Sequence, residues 1–217
     1  MAKFRLGLTV TTALCFILGT LSCATREIKL EIPDAKRDER ISRFIDSATG
    51  PSGVKPLREV YLSGDDFEVR VWRGFGLSEL EGVMLRRSSG KWSADYLKAN
   101  DCCLITASSL KALPPPKSGW DKLWNDLDAN GIRTLPDSSI SGCGETRIDG
   151  MSYVVEINQN AAYRTYKYQT SNDKCEQVQK MKQIGRIIAD EFYDGKEECK
   201  TAEWLPCVAI YGVKNDL

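Results

Sequence analysis

Histidine, the commonest general base and zinc ligand, is absent from all 217 residues. Ser-His-Asp and Cys-His catalysis, His-ligated zinc and an imidazole pH switch are excluded with it. No G-x-S-x-G, P-loop, H-E-x-x-H or EF-hand loop occurs either. Gly74-Phe75-Gly76 is too short for a nucleotide loop and reads as a turn. Carboxylates, cysteines and aromatics remain. Two acids suffice to cleave a glycoside, provided the fold sets their separation. Glu79 and Glu81 stand two apart, and Glu145 and Glu156 lie on segments that neighbouring strands can bring together. Such pairs also arise by chance on any acidic surface. A histidine-free, glycan-acting hydrolase is therefore the alternative reading, and no residue is assigned a catalytic role.

The aromatics are the better lead. In Tyr163–Tyr168 a strand's alternation puts Tyr163, Thr165 and Lys167 on one face and Arg164, Tyr166 and Tyr168 on the other. One face must pack under a helix. The other can display Tyr163 beside Lys167, a composition suited to a protein or polysaccharide surface. Tyrosine is also simply a good strand residue whose polar tip tolerates the surface.

Eight cysteines occur, of which Cys15 and Cys23 sit in the N-terminal leader. The rest, Cys102, Cys103, Cys143, Cys175, Cys199 and Cys207, form an even set, the pattern of a disulfide-stapled domain in an oxidising compartment. Sequence does not choose among their pairings. Cys102 and Cys103 are expected in different bridges, because adjacent Cα atoms lie only ~3.8 Å apart. Without a CxxC spacing or a histidine, no metal site and no cofactor is expected.

The leader itself sets the compartment. Lys3 and Arg5 precede an uncharged run from Leu6 to Thr25, the layout of a secretory signal. Thr20-Leu21-Ser22-Cys23 resembles a relaxed bacterial lipobox, which makes residues 1–22 the signal peptide and Cys23 the lipidated N-terminus. Thr20 departs from the large aliphatic residue of the strict motif. Two alternatives stand beside it: a cut after Ala24 giving soluble export, or an uncleaved anchor, for which the run is barely long enough. Ala24 lacks an acidic retention signal, which favours an outer-membrane destination. Loss of Lys3 and Arg5 leaves 30 acidic side chains against two fewer basic ones, a net charge of about −2. No basic stripe points to nucleic acid. The expected partners are the membrane, through the lipid anchor, and an envelope protein or glycan.

The elements that must position these residues follow from periodicity. Residues 23–56 read as a lipidated N-terminus and flexible tether: Ile28, Leu30 and Ile32 alternate, 34–46 is charge-dense, and Ile41, Phe44 and Ile45 offer at most one short helical face. Ser47 to Pro56 carries the Gly, Pro and Ser of a joint. The globular domain is expected over 57–217. Phe67, Val69 and Val71 mark a strand, Val83 and Leu85 a second, and Trp92, Ala94 and Tyr96 a third, with Ser88–Lys91 as a turn between the last two. After Pro114–Pro116, Trp120, Leu123, Trp124 and Leu127 form one helix face, capped by Ser118 with Asp121 and closed by Asn130-Gly131. That stripe is expected to be core.

Asp149-Gly150 signals a hairpin between 145–148 and 151–158, and 159–162 a further turn into Tyr163–Tyr168. Asp173 with Glu176 caps a second helix whose inward stripe is Val178, Met181, Gly185, Ile188 and Phe192, ending at Gly195. Trp204 to Val213 reads as a last strand. Runs of strands with separate helices define an α+β domain: antiparallel meanders, two amphipathic helices and disulfide staples.

Trp120-x-x-Leu123-Trp124-x-x-Leu127, then Gly131 and Leu135-Pro136, then Asp149-Gly150-x-x-Tyr153-x-x-Glu156 and Tyr163-Arg164-x-Tyr166 resemble a family of uncharacterised bacterial exported proteins. The likeness spans roughly Phe67 to Phe192 and does not extend to the cysteines. It implies an architecture and no activity. Together these features lead to the expectation of a non-catalytic, exported envelope lipoprotein that binds a partner.

Overall fold

The computed structural model describes residues 39–75, 80–100, 107–143, 152–160 and 162–193. Four strands run as a meander: β1 (Phe67–Gly74), β2 (Leu80–Ser88), β3 (Lys91–Asn100) and β4 (Ala107–Ala112). The chain then forms helices α2 (Trp120–Ala129) and α3 (Ser138–Ser141). It returns to the free side of β1 as the hairpin β5 (Ser152–Gln159) and β6 (Ala162–Gln169), followed by α4 (Glu176–Phe192). The described strands make one antiparallel six-stranded sheet in the order β4-β3-β2-β1-β5-β6. This is the expected α+β architecture, and all described residues fall in one compact unit spanning Ile32–Leu217. Among them no helix is long and apolar enough to cross a membrane.

Local chemistry accounts for the turns. Ser89 at φ 50° and Gly90 at φ 75° form the left-handed pair that a two-residue β2–β3 hairpin needs. The hairpin at 159–162 forms as expected, whereas 144–151, which hold Glu145 and Asp149-Gly150, lie outside the described residues. So do Gly76, Gly195 and the expected strand 204–213. β4 went unread in the sequence, because Ala107–Ala112 is a largely exposed, polar edge strand with no apolar alternation.

One sheet face carries Phe67, Val69, Val71, Val83, Leu85, Ala94, Val155 and Ile157 under α2 and α4. Leu123 and Leu127 of α2, and Val178, Met181, Ile184, Ile188 and Phe192 of α4, are buried against it. Gly185 belongs to that stripe because a Cβ there would sit 2.9 Å from the Tyr153 hydroxyl. The helix starts differ from expectation. Gly119, at φ 87°, holds the cap position of α2 with no side-chain cap, and the Ser118 N–H donates instead to the Glu191 carboxylate at 2.7 Å. Cys175 takes the corresponding place on α4, bonded to Cys143 with 5.8 Å between Cα atoms, while Asp173 pairs with Lys182. The bridge joins the segment after α3 to the start of α4 and closes a loop of 32 residues. Cys102, Cys103, Cys199 and Cys207 lie outside the described residues.

The other face overturns one expectation. Residues 39–56, assigned to the tether, fold onto the sheet: α1 (Glu39–Thr49) and 3-10 turns at Gly50–Ser52 and Leu57–Glu59 cover it. Ile45 and Ala48 are buried with Trp72, Leu80, Met84, Leu97, Ala99 and Val154, and Ile41 and Phe44 pack beside them. A helix that is charged on one face needs only four such residues at 3.6 spacing to dock. Because both faces of β1 are covered, all eight of its residues are buried, Glu68, Arg70 and Trp72 included.

Candidate functional site

Two regions gather the residues able to do chemistry. The first lies under α1 and the 3-10 turns. Glu68, fully buried, accepts from Arg70 Nε and Arg86 Nε, each at 2.7 Å. Arg70 also donates to the Lys55 carbonyl at 2.8 Å. Across the β1–β5 pair, Glu156 accepts from the Trp72 indole N–H and from the Tyr163 hydroxyl, each at 2.7 Å. Asn158 Nδ2 donates to the Leu57 and Val60 carbonyls at 2.9 and 2.6 Å, and Arg58 grips Asp46 of α1 through both carboxylate oxygens. Trp72 can lie flat over β2 because its cross-strand neighbour is Gly82, where a Cβ would come within 2.1 Å of the ring. Burial raises the Glu68 carboxyl pKa, but the hydrogen bond from Arg86 and the charges of Arg70 and Arg86 outweigh it and hold the group below the usual carboxylate range.

These contacts decide what the acids can do. Glu156 is buried with both oxygens engaged, and Glu81 is buried with Lys98 3.9 Å away. The acids expected to pair with them, Glu145 and Glu79, lie outside the described residues. Glu68, Glu81 and Glu156 thus engage cations and donors of the sheet itself, while Arg70 and Asn158 tie the 55–60 segment to it.

The tyrosine strand divides as its alternation requires. Tyr166 and Tyr168 are buried on the α2/α4 side, and their hydroxyls donate to the Ile132 and Pro136 carbonyls. Arg164 donates to the carbonyls of Arg133 and Leu135, and Asp137 accepts the Lys167 N–H at 2.9 Å. The 132–141 segment thus closes the β6 edge, and burial raises the Tyr166 hydroxyl pKa far above its ordinary value. Tyr163, Thr165 and Lys167 stay half-buried on the opposite face, with Tyr163 directed to Glu156. Cys23 lies outside the described residues.

The second region sits on the α2/α4 face, at the β2–β3 hairpin end. Phe67 meets Trp92 edge-on at 5.1 Å and Trp124 at 4.6 Å, and Trp92 lies 5.5 Å from Trp124. Trp92 and Trp120 stack at 5.6 Å with planes 3° apart, and Phe192 closes the far side 6.3 Å from Trp120. Phe67 and Phe192 are buried, but all three indoles of this cluster are only half-buried. The expected core stripe therefore splits: Leu123 and Leu127 point inward, while Trp120 and Trp124 form a rim.

Among the described residues, no protein acceptor takes the N–H of Trp92, Trp120 or Trp124, and none of these N–H groups is sealed from solvent. Arg87 stands on this face directly opposite both Phe67 and Trp92. Its Nε is buried with no hydrogen-bond partner, and the guanidinium has no ion pair among the described residues. By contrast, Arg133, stacked 5.6 Å over Trp124, is neutralised by Asp128 at 2.6 Å. Sequence reading missed Arg87 and Trp92 as site residues. The available signal was a bulky cation facing two aromatics across a hairpin whose register Ser89-Gly90 fixes.

Compared with protein-family models, curated proteins and solved structures, the chain has no significant match to any of them. The family resemblance rests on the motif residues alone, and the site must be argued from its own chemistry. Among the described residues no group of three or more His, Cys, Asp or Glu side chains could hold a metal ion.

Proposed function

We propose that this protein is a non-catalytic, lipid-anchored binding module of the bacterial cell envelope, attached through Cys23 and engaging its partner with the Trp92/Trp120/Trp124 rim and Arg87. The observation that carries this reading is the pairing of three half-buried indoles with the Arg87 guanidinium, whose Nε is buried without a hydrogen-bond partner among the described residues. Tryptophan and arginine supply most of the anchoring energy in known interfaces. A half-exposed cluster of them is otherwise unfavourable on a surface facing water. Glu68, Glu81 and Glu156 of the sheet are committed to arginine, lysine, tryptophan and tyrosine partners, which supports binding rather than hydrolysis.

The test is capture of partners from intact envelope with the mature protein as bait. Trp120→Ala is expected to reduce capture by at least about tenfold, the usual loss at a hot spot. Replacement of Tyr163 and Lys167 on the opposite face serves as the comparison. Unchanged capture by Trp120→Ala, with loss in the Tyr163/Lys167 variant, would move the contact to the β6 face. An acylated N-terminal cysteine in the intact mass tests the anchor, and an N-terminus at Thr25 would establish soluble export instead.

A further inference from the structure

The rim of indoles and the guanidinium beside it make two different demands on a ligand. An indole packs against the C–H side of a pyranose, and its N–H donates to a hydroxyl. The Trp72 N–H is spent on Glu156, whereas those of Trp92, Trp120 and Trp124 have no protein acceptor among the described residues. A neutral sugar would meet these donors and leave Arg87 unmatched. Arg87 presents a planar fork fitted to an oxyanion.

Three acids of the flanking segments are engaged elsewhere: Asp66 by Ser88 and Ser89, Asp128 by Arg133, and Glu191 by the Ser118 N–H. One guanidinium balances one carboxylate. A phosphate monoester, with a charge nearer two, would remain in excess. Resting on the binding-module reading, we propose that the occupant is a carboxylated glycan. A sugar ring packs on Trp92 and Trp120, and its carboxylate takes the guanidinium of Arg87.

The full-length mature protein, purified from the envelope, would be titrated with trigalacturonate and with its methyl ester, followed by calorimetry and tryptophan fluorescence. The acid is expected to bind about tenfold more tightly than the ester, the worth of one charge-assisted contact. Arg87→Gln should remove that preference by weakening only the acid. Trp120→Ala should weaken both ligands while leaving the ratio between them intact.

Equal binding of acid and ester, a preference that survives Arg87→Gln, or failure of both probes to bind would overturn the glycan assignment. If the probes fail while envelope capture still depends on Trp120, the binding-module reading stands without its sugar. If Trp120→Ala changes neither, both fall. A concentration-dependent dimer that Trp120→Ala abolishes would place a second copy of the chain on the rim and overturn the glycan proposal as well.

Discussion

The two faces of the sheet treat arginine in opposite ways. On the face under α1, Arg70 is buried and bonded to Glu68 and to the Lys55 carbonyl, and Glu68 takes a second guanidinium from Arg86. On the face under α2 and α4, Arg87 has a buried Nε with no hydrogen-bond partner among the described residues, next to an aromatic cluster that reaches solvent. Both residues are strand arginines on adjacent strands of one sheet. What differs is the cover: the first face received a segment rich in carbonyls and charge, the second received tryptophan. Arg70 is tied internally, whereas the Arg87 Nε, like the Asn158 Oδ1 on the first face, is buried without a hydrogen-bond partner among the described residues.

The largest effects should come from breaking the Glu68–arginine network. Glu68→Ala leaves Arg70 buried without its carboxylate, and removal of one partner from a buried pair costs about 3–5 kcal/mol. Urea denaturation should record a loss of that size. A change under about 1 kcal/mol would mean that the network is no better tied than the Arg87 region.

Gly82→Ala comes next, since its Cβ would meet Trp72 at 2.1 Å in a packed layer. Overpacking of this kind costs about 1–3 kcal/mol. Because the clash is with one named ring, Trp72→Leu should suppress it. Additive losses in the double variant would show that the strain lies in the β2 backbone instead.

A smaller effect is expected from pH. The native Glu68 carboxyl is held below its ordinary range by Arg86 and Arg70. It therefore stays charged in the fold at a pH where the unfolded chain binds a proton. Its contribution is complete above the unfolded pKa of about 4.3 and is lost as pH falls through the lower native value. Stability measured downward from neutral pH should fall in the acid range with a steeper slope in the wild type than in Glu68→Gln. Parallel slopes would assign the acid sensitivity to other carboxylates.

How much of this could be read from the sequence differs between the faces. Strands β1 to β3, the β5–β6 hairpin, the stripe of α4 and the split of the tyrosine strand follow from period and turn chemistry. The α1 face does not. Glu68 and Arg70 alternate with valines in the way solvent-facing residues do, and the residues that cover them sit in a charge-dense stretch with the Gly and Pro of a linker. Only tertiary docking buries both, and no local pattern encodes it. The candidate site was hidden for a related reason. Trp120, Leu123, Trp124 and Leu127 share one helix face, but indoles are long enough to extend from the edge of the stripe into water while leucines at its centre do not. Arg87 has no motif around it, and only the register of β2 with β1 and β3 puts it among aromatics.

The smallest effect on stability is the one that sharpens the contrast most. Arg87→Met keeps an unbranched stem to pack beside Phe67 and Trp92 and removes a polar atom that is buried without a partner. A buried donor with no hydrogen bond is a cost to the folded state, so its removal should leave stability within about 0.5 kcal/mol of wild type or raise it. Arg70→Met, the same substitution on the other face, strands Glu68 beside the half-exposed Arg86 alone and should lower stability by about 3 kcal/mol or more. Paired thermal melts of the two variants compare the faces directly. If Arg87→Met proved as damaging as Arg70→Met, its guanidinium would be part of the scaffold, and the tryptophan rim would lose the charged group that gives it a ligand preference. If Arg87→Met is neutral or stabilising, the guanidinium is kept at a cost in the unliganded fold, as expected of a group whose partner arrives from outside.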